Sequence, residues 1–234
     1  MIAVLGAMAI EIEMLKEQMC EVLCETHFGQ VFFTGKLRGV SIVLTCCGVG
    51  KVNAARAAQL CISLYSVKLM LNTGVAGGLL PALSAGSVVI SSALVQHDVD
   101  TSALGDPVGF VSGCDLVYFD ADADLAASLL AAAEKVAVGV SLTGVIASGD
   151  GFIAEKEKND AIRSTFSAIA VDMESAAIAQ VCHLCSVPFA AVRTISDGAD
   201  SDSPVDFPTL ALMAARNSEG ILLEFISAAG SDLM

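Results

Sequence analysis

Three acidic residues stand in apolar surroundings close to predicted β-strands: Glu11, Glu174 and Asp197. An unpaired charge is costly in such surroundings, and carboxylates with perturbed pKa values cluster at functional sites, although carboxylates also cap helices. In open α/β sheets, ligands bind beyond the carboxyl ends of the strands. We therefore expect the three carboxylates to share one crevice, where they could act as acids and bases.

Glycine-rich segments follow predicted strands at the same edge of the sheet. Residues 6–11, 47–51 and 72–78 each contain glycines, which let backbone amides approach a ligand closely. Together with residues 172–174 and 196–197, these segments are predicted to surround the crevice.

Two other patterns resemble binding motifs but lack an essential residue. In the sequence Gly-Val-Gly-Lys at 48–51, Val52 follows where a phosphate-binding loop needs Ser or Thr, so the pattern favours a tight turn between strand and helix. Residues 120–124 alternate aspartate with alanine, but Leu125 replaces the glycine of a calcium loop. A helix N-terminus explains these acidic residues better.

The metal-like patterns are also incomplete. Cys182 and Cys185 flank His183 with a spacing found in zinc sites, but a structural zinc site needs four ligands and the sequence has no second such pair. We interpret the two thiols as core residues of a helix, and His97 and Asp98 as the polar end of a strand. The sequence therefore predicts neither a metal nor an organic cofactor.

Apolar, β-rich runs alternate with helical patterns along the chain. Their continuous hydrophobicity suggests strands buried on both faces, and the alternation predicts a three-layer α/β/α fold with a central, mostly parallel mixed sheet. No linker or repeat divides residues 1–234, so we expect a single domain, with a loop excursion at 96–120. The predicted strands are Ile2–Leu5, Val31–Thr34, Ser41–Cys46, Lys68–Asn72, Ser87–Ser91, Val140–Ala147, Ala168–Val171 and Phe189–Ile195, and the predicted helices are Glu11–Cys20, Asn53–Leu64, Leu125–Val136, Ser175–Cys185 and Pro208–Ala228.

Composition restricts the classes of function. Hydrophobic residues make up 55% and charged residues 16% of the 234 residues, which excludes a disordered chain. Acidic residues outnumber basic ones 26 to 12, so neither nucleic acid nor an anionic membrane surface is expected as a partner.

The apolar runs 69–97 and 175–192 are broken by polar residues, glycine or proline and are interpreted as buried elements rather than membrane spans. Eight cysteines without framework spacing and an N-terminus without a secretory signal predict a reduced, cytoplasmic protein.

Five segments of the sequence form a set that is much more specific than any single motif. They are Gly6-Ala7-Met8 followed by Glu11, Asn72-Thr73-Gly74-Val75-Ala76-Gly77-Gly78, Ser148-Gly149-Asp150-Gly151-Phe152-Ile153, Val171-Asp172-Met173-Glu174 and Arg193-Thr194-Ile195-Ser196-Asp197. In order and spacing they resemble the 5′-methylthioadenosine/S-adenosylhomocysteine nucleosidases of the nucleoside phosphorylase superfamily, nearly end to end. The resemblance implies a nucleoside phosphorylase-like fold. It also implies hydrolysis of the N-glycosidic bond of 5′-substituted adenosines, in methionine salvage and purine nucleoside catabolism.

The resemblance implies a role for each matching residue. Glu11 is the implied general base that activates water, and Asp197 the implied acid that protonates adenine N7, with Ser196 orienting it. Met173 and Glu174 are implied to hold the ribose, the carboxylate accepting from the 2′- and 3′-hydroxyls. The other implied contacts are the ring of Phe152 stacked on adenine, the backbone of Ile153 at the adenine edge, Arg193 beside the attacking water, Gly77 at a ligand-facing glycine turn, and Met8, Val49 and Phe207 around the sugar and the 5′-substituent.

The chemistry of the implied reaction suits these residue types. Cleaving an N-glycosidic bond builds positive charge on the sugar and negative charge on the leaving purine, so anionic groups near the ribose and an acid near the base both help. The first crevice loop, from Met8 to Glu11, carries no Arg or Lys, which favours water over phosphate as the nucleophile. Lys51 and Arg56 leave a purine nucleoside phosphorylase open. An aminodeoxyfutalosine nucleosidase and a non-catalytic nucleoside-binding or storage relative are further alternatives.

Three places depart from the family pattern. Ala9 and Ile10 stand where the family often has acidic residues. Val75 replaces a serine that is common in the glycine segment, which removes a hydroxyl group. Residues 104–113 differ in composition from the corresponding segment of other members, which completes a neighbour's pocket across a dimer. The resemblance therefore implies a homodimer that takes a small-molecule adenine nucleoside, and it leaves the preferred 5′-substituent open.

Overall fold

A mixed β-sheet organises the chain and carries helices on both faces. The computed structural model describes residues 1–137, 139–197 and 207–229. In chain order, the elements of these residues are β1 (Ile2–Gly6), α1 (Ala9–Gln18), β2 (Cys20–His27), β3 (Gln30–Leu37), β4 (Val40–Cys46), α2 (Lys51–Leu64), β5 (Leu69–Gly78), β6 (Val88–Gln96), β7 (Tyr118–Asp120), α3 (Ala123–Val136), β8 (Ser141–Ser148), α4 (Lys156–Phe166), β9 (Ala168–Asp172), α5 (Ser175–Leu184), β10 (Phe189–Asp197) and α6 (Phe207–Ala229).

Part of the sheet closes into a ring. The strand order is β10-β6-β8-β9-β5-β1-β4-β3-β2, with β7 paired to β6. Because β10 also pairs with β5, the strands β5, β10, β6, β8 and β9 form a closed circuit. Parallel pairs join β1 to β4 and β5, β5 to β10, and β8 to β6 and β9. Antiparallel pairs join β10 to β6, β5 to β9, β3 to β2 and β4, and β6 to β7. The two kinds of pair are equally numerous among the described strands, so the sheet is less parallel than predicted. The predicted α/β fold with a central mixed sheet is confirmed.

Ring closure brings together segments that lie far apart in the sequence. The backbone of Gly77 in β5 pairs with Asp197 at the end of β10 and with Val171 near the end of β9. Asp172, the last residue of β9, pairs with Ser148 at the end of β8. Gly6 at the end of β1 also pairs with Thr73 of β5, so all five segments of the predicted site meet through backbone pairing.

The helices form two layers. α6 packs against α1 and α3 on one face, whereas α2 packs against α5 on the other. The contact between α2 and α5 can be close because the buried side chains on both helices are mostly small. These side chains are Ala54, Ala57, Ala58 and Cys61 in α2, and Ser175, Ala176, Ala177, Ile178, Ala179 and Cys182 in α5.

Two helix starts agree with the sequence patterns before them. Asp122 caps α3, and its side chain accepts a hydrogen bond from the amide of Leu125 at 2.9 Å. α2 begins at Lys51, directly after Gly48 and Gly50, which have φ angles of 87° and 97° that favour glycine. The aspartate-rich pattern is a helix cap and the glycine-lysine pattern is a tight turn, as predicted.

Three elements are absent from the sequence prediction: β2, β7 and α4. β2 is exposed along almost its whole length, β7 has only three residues, and α4 buries only Ile162 and Phe166. None of them therefore shows the periodic apolar pattern by which buried elements are found. The helix predicted over Glu11–Cys20 is also displaced, because α1 spans Ala9–Gln18 and Cys20 opens β2.

Residues 72–78, predicted as a glycine turn after a strand, instead continue β5. The backbone of Thr73 pairs with Val192 of β10, and that of Gly77 pairs with Asp197. Because partner strands on both sides satisfy the backbone hydrogen-bonding groups, pairing prevails over the local turn preference of glycine. The predicted turn at Gly77 is therefore wrong, since this glycine lies inside a strand.

The apolar runs 69–97 and 175–192 form β5, β6, α5 and the start of β10. Among the helices that the structure describes, none combines the length and the apolar character that a membrane span requires. Cys182 in α5 is buried with its Sγ 3.6 Å from the Sδ of Met70, so it is a core thiol, as predicted. The same prediction is wrong for Cys185, which follows the last residue of α5 and is only partly buried, with its Sγ 3.7 Å from Oε1 of Gln59.

Truncation of Leu71 tests the position of the core. This side chain is fully buried in β5 between β1 and β10. We expect Leu71→Ala to lower the free energy of unfolding by about 2–5 kcal/mol, through lost apolar burial and a residual cavity. Leu64→Ala, at the 40% exposed end of α2, is the control and should cost less than about 1 kcal/mol. Urea unfolding measures both, and equal losses would contradict this packing.

Candidate active site

Glu11 lies in the first turn of α1, just after the chain leaves β1. Its Oε2 accepts a hydrogen bond from the amide of Met8 at 2.9 Å, and its Oε1 accepts one from the amide of Val75 at 3.3 Å. A Cβ on Gly74 would lie 2.6 Å from Oε1, so the carboxylate fits only because this residue has no side chain. Backbone donors from α1 and β5 thus hold the carboxylate in one position.

Burial controls the acidity of Glu11. The residue is 3% exposed, and burial raises the pKa of its carboxyl group, against the opposing effects of the Met8 amide and the charge of Arg193. Burial raises a carboxyl pKa because it disfavours the charged form. A carboxylate of raised pKa is a better proton acceptor near neutral pH. Glu11 is therefore suited to act as a general base.

Arg193 extends from β10 into the interior and is 1% exposed. Its Nε donates a hydrogen bond to Oδ2 of Asp172 at 2.8 Å, and its Nη2 donates to the side-chain oxygen of Asn72. The same Nη2 lies 4.0 Å from Oε2 of Glu174. Burial lowers the pKa of Arg193, but the charges of Asp172, Glu174 and Glu11 together raise this pKa above its usual value. The guanidinium therefore stays charged among carboxylates.

Asp172 is surrounded by hydrogen-bond donors. Besides the guanidinium, the hydroxyls of Ser148 and Ser175 donate to it, as do the amides of Glu174 and Ser175 at 3.3 Å each. The Ser148 hydroxyl in turn accepts a hydrogen bond from the amide of Ala176 at 2.9 Å. These contacts join the ends of β8 and β9 to the start of α5, and they satisfy a carboxylate that is otherwise costly to bury.

Glu174 directly precedes α5. Its Oε1 accepts a hydrogen bond from the amide of Gly50 at 2.9 Å. Burial, followed by the neighbouring charge of Asp172, raises the pKa of Glu174 to about 7, although Arg193 and the Gly50 amide act in the opposite direction. This carboxyl group therefore changes charge near neutral pH.

These groups line a cavity of about 700 Å³, which includes space open to solvent. Phe152 is 72% exposed and Val49 is 49% exposed, so these two side chains mark the solvent side of the cavity. The cavity combines an apolar wall with a few converging polar groups, as ligand sites commonly do.

Ten of the twelve residues predicted for the site line this cavity: Met8, Glu11, Val49, Gly77, Phe152, Ile153, Met173, Glu174, Arg193 and Ser196. The other two are Asp197 and Phe207. The backbone of Asp197 ends β10 and that of Phe207 begins α6, but their side chains lie outside the part of the chain that the structure describes.

Sequence reasoning assigned no role to a polar layer behind the cavity wall, although Asn72 and Asp172 lie in segments that were predicted to surround the crevice. Asn72, Ser148, Asp172 and Ser175 are all buried, and Asp172 also lines the cavity. Each is a polar residue in an apolar stretch at or near a strand end, and buried polar groups require partners. That signal could have identified them. Thr73 lines the cavity as well, and its buried hydroxyl has no hydrogen-bond partner among the described residues.

Lys51 and Arg56, the two cations that could support a phosphate-dependent reaction, do not line the cavity. The Nζ of Lys51 lies 2.5 Å from Oδ1 of Asp98, and the guanidinium of Arg56 donates a hydrogen bond to Gln30. Within the described lining, Arg193 is the one basic side chain. Because buried carboxylates already offset its charge, the site suits a ligand that offers hydroxyl groups or develops positive charge.

Comparison with known families agrees with this fold and site. The sequence profile of the phosphorylase superfamily matches residues 1–227. The chain belongs to this superfamily. Within it, the chain is 38% identical over 226 residues to the 5′-methylthioadenosine/S-adenosylhomocysteine nucleosidase of Marinomonas sp. (strain MWYL1), which covers 96% of this chain and 97% of that protein.

Solved structures show the same similarity. The 5′-methylthioadenosine/S-adenosylhomocysteine nucleosidase of Neisseria meningitidis, in complex with methylthio-immucillin-A, is 37% identical with a TM-score of 0.91, covering 97% of this chain and 98% of that chain. The futalosine hydrolase of Helicobacter pylori strain 26695 is 32% identical with a TM-score of 0.90, covering 97% of each chain. The predicted resemblance and the nucleoside phosphorylase-like fold are confirmed.

Replacement of Glu174 tests the electrostatics of the site. A carboxyl group whose pKa rises from 4.5 to about 7 on folding favours the folded state below pH 4.5, and that contribution is lost as the pH rises through 7. Glu174→Gln keeps an acceptor for the Gly50 amide but cannot ionise. We expect it to be more stable than the wild type by the order of 2 kcal/mol at pH 8, and equally stable at pH 4.

Thermal unfolding at the two pH values measures this difference. Glu224→Gln, which breaks the exposed ion pair with Lys135, is the control and should show no such dependence on pH. A Glu174→Gln variant that is less stable than the wild type at pH 8 would contradict the raised pKa.

Proposed function

We propose that the chain hydrolyses the N-glycosidic bond of 5′-methylthioadenosine, S-adenosylhomocysteine and similar 5′-substituted adenosines, giving adenine and the corresponding thioribose. The observation that supports this most is the buried Glu11 carboxylate of raised pKa. It lies in a cavity whose one described basic side chain, Arg193, is already engaged by Asp172. Water can be activated in such a site, whereas phosphate would meet repulsion.

The proposed reaction breaks the bond between C1′ of the ribose and N9 of the purine, and the electron pair leaves with adenine. Asp197, oriented by Ser196, protonates N7 and so neutralises the negative charge of the leaving group. A water molecule attacks C1′ while Glu11 takes its proton, so that the sugar gains a hydroxyl group. Each well-placed acid or base contributes roughly 10²–10⁴-fold to the rate.

On the ribose side, we assign Glu174 as the acceptor for the 2′- and 3′-hydroxyls. The amide of Gly50 holds Oε1 of this carboxylate, and Oε2 faces Arg193 at 4.0 Å. When ionised, Glu174 also stabilises the positive charge that develops on the sugar ring. Met173, which lines the cavity, completes this part of the binding site, with Arg193 beside the attacking water.

On the purine side, the exposed ring of Phe152 is available to stack on adenine, and the backbone of Ile153 reads the edge of the base. Met8 and Val49 line the cavity where the sugar and the 5′-substituent would lie. We place Phe207 beside them on the family resemblance.

We also infer a homodimer in a reducing compartment such as the cytoplasm. Residues 104–113 would approach the partner's pocket, and in this segment Leu104 is 83% exposed and Val108 is 36% exposed. Exposed apolar side chains within one segment suit a contact surface. All eight cysteines are free thiols, which suits a reducing environment.

A second candidate is the hydrolysis of aminodeoxyfutalosine. It is favoured by the structural similarity to the futalosine hydrolase of Helicobacter pylori. The same carboxylates would serve both reactions, because the substrates differ at the 5′-position rather than at the bond that is cleaved. The two candidates are therefore separated by substrate preference.

We expect the purified chain to release adenine from 5′-methylthioadenosine and S-adenosylhomocysteine at the same rate with and without inorganic phosphate. Free adenine is quantified across a panel of 5′-substituted adenosines that includes aminodeoxyfutalosine. Strict dependence on phosphate would establish a phosphorylase instead, and binding without release of adenine would establish a non-catalytic relative. A marked preference for aminodeoxyfutalosine would establish the second candidate.

Glu11→Gln tests the general base. The amide side chain is nearly isosteric and can still accept from Met8, but it cannot take a proton from water. We expect kcat to fall by about 10³-fold or more, while the Kd for 5′-methylthioadenosine changes by less than about threefold. Glu13→Gln, on the same helix but exposed, is the control and should behave as the wild type. Turnover of Glu11→Gln at the wild-type rate would exclude Glu11 as the base.

A further inference from the structure

The glycine turn before α2 holds two of the protein's own carboxylates. The amide of Gly50 donates to Oε1 of Glu174 at 2.9 Å, and the next amide, of Lys51, donates to Oδ1 of Asp150 at 2.8 Å. The first turn of α2 has no acidic residue of its own. The two carboxylates therefore supply the negative charge that a helix N-terminus favours.

Asp150 belongs to a short segment that carries the proposed purine contacts. Residues 149–155 connect β8 to α4 without regular structure and include Phe152 and Ile153. Because Phe152 is largely exposed, the position of its ring depends on how firmly the backbone before it is held. One anchor is the amide of Gly149, which donates to the backbone oxygen of Asp172 at 3.1 Å.

Asp98 supplies the second anchor of this segment. Its Oδ2 accepts a hydrogen bond from the amide of Asp150 at 2.9 Å, and its Oδ1 accepts one from Nζ of Lys51 at 2.5 Å. Lys51, Asp98 and Asp150 thus form a closed circuit of three hydrogen bonds, which we call the rim triad. Charge-assisted bonds of this kind are roughly twice as strong as neutral ones, and the Lys51 side chain is only 16% exposed.

Close packing around the rim triad restricts movement of the segment. A Cβ on Gly50 would lie 3.1 Å from Oδ1 of Asp150, and a Cβ on Gly149 would lie 2.3 Å from a ring nitrogen of His97. The amide of His97 also donates to the backbone oxygen of Ser148 at 3.0 Å. The chain at 148–150 therefore lies directly against the end of β6.

We propose that the rim triad is a positioning device, which sets the purine-binding segment at a fixed separation from the ribose-binding carboxylate. The two sides are linked because adjacent amides, of Gly50 and Lys51, hold Glu174 and Asp150 respectively. This positioning role depends on the proposed function only because the proposed function identifies the ligand as an adenine nucleoside. Loosening the rim triad weakens binding of the purine, whereas Glu11 and its water are not displaced.

Asp98→Ala removes both acceptors that this residue offers and is the principal test. We expect KM for 5′-methylthioadenosine and Kd for adenine, measured by calorimetry, each to rise about tenfold, with kcat changing less than about threefold. Hydrogen exchange of the amides in 149–155 should accelerate by about tenfold, while exchange in β5 is unchanged. A purely structural role would instead lower the melting temperature and accelerate exchange throughout.

Further variants identify which hydrogen bond of the rim triad controls the affinity for adenine. Lys51→Met should give a smaller loss than Asp98→Ala, because the amide of Asp150 still donates to Oδ2 of Asp98, and combining the two changes should add little. Lys51→Arg, which keeps a cation, should restore most of the affinity. Lys135→Met is the matched control, since it breaks the 2.7 Å ion pair with Glu224 between α3 and α6 and should leave adenine affinity unchanged.

The outcomes separate this proposal from the proposed function. Adenine affinity and exchange at 149–155 within twofold of the wild type in Asp98→Ala would overturn the positioning role, as would a loss explained by global destabilisation. A wild-type protein that binds adenine but cleaves no nucleoside would refute the proposed function, while the adenine comparison would still decide the positioning role. A wild type that binds neither adenine nor 5′-methylthioadenosine and cleaves no nucleoside would overturn both.

Discussion

The buried ion pair between Arg193 and Asp172 is the interaction on which the rest of the site depends. Both side chains are 1% exposed, and Nε lies 2.8 Å from Oδ2. Removing one partner of such a pair leaves an uncompensated charge in the interior, at a cost of about 3–5 kcal/mol. The pair joins β10 to β9, and Asn72 of β5 accepts from the same guanidinium. Three strands that bound the cavity are thereby held together by one charge.

The same charge explains the electrostatics of the cavity. Arg193 lowers the pKa values of Glu11 and Glu174, but burial has the larger effect and leaves both pKa values raised. The result is a pair of relatively basic carboxylates beside a cation that is already engaged. Such a site suits a ligand that develops positive charge, and its carboxylates are suited to accept a proton. Among the described lining residues, no basic side chain besides Arg193 provides the positive charge that a phosphate co-substrate needs.

The pattern at 48–51 shows how far local sequence reasoning reaches. The glycines and the lysine predicted a tight turn before a helix, and the structure has that turn. The side chains that accept hydrogen bonds from the amides of this turn were not predictable. Glu174 lies 124 positions from Gly50, and Asp150 lies 99 positions from Lys51. Local patterns have the same reach for the secondary-structure elements. Strands buried on both faces were predicted from their apolar runs, whereas the exposed β2 and the polar α4 were not predicted.

Residue types and their spacing predict which side chains the site uses. Local hydrophobic patterns place Glu11, Glu174 and Asp197 near strand ends, whereas Arg193 was identified from a segment whose order and spacing match the family. Pairing between strands of the folded chain keeps residues 72–78 extended, and folding also lets Asp172 join the ends of three elements behind the cavity wall. These features are not visible in the local sequence because they arise when ring closure pairs residues that are distant in the chain. The desolvation that sets the carboxylate pKa values likewise arises only when the folded chain excludes water.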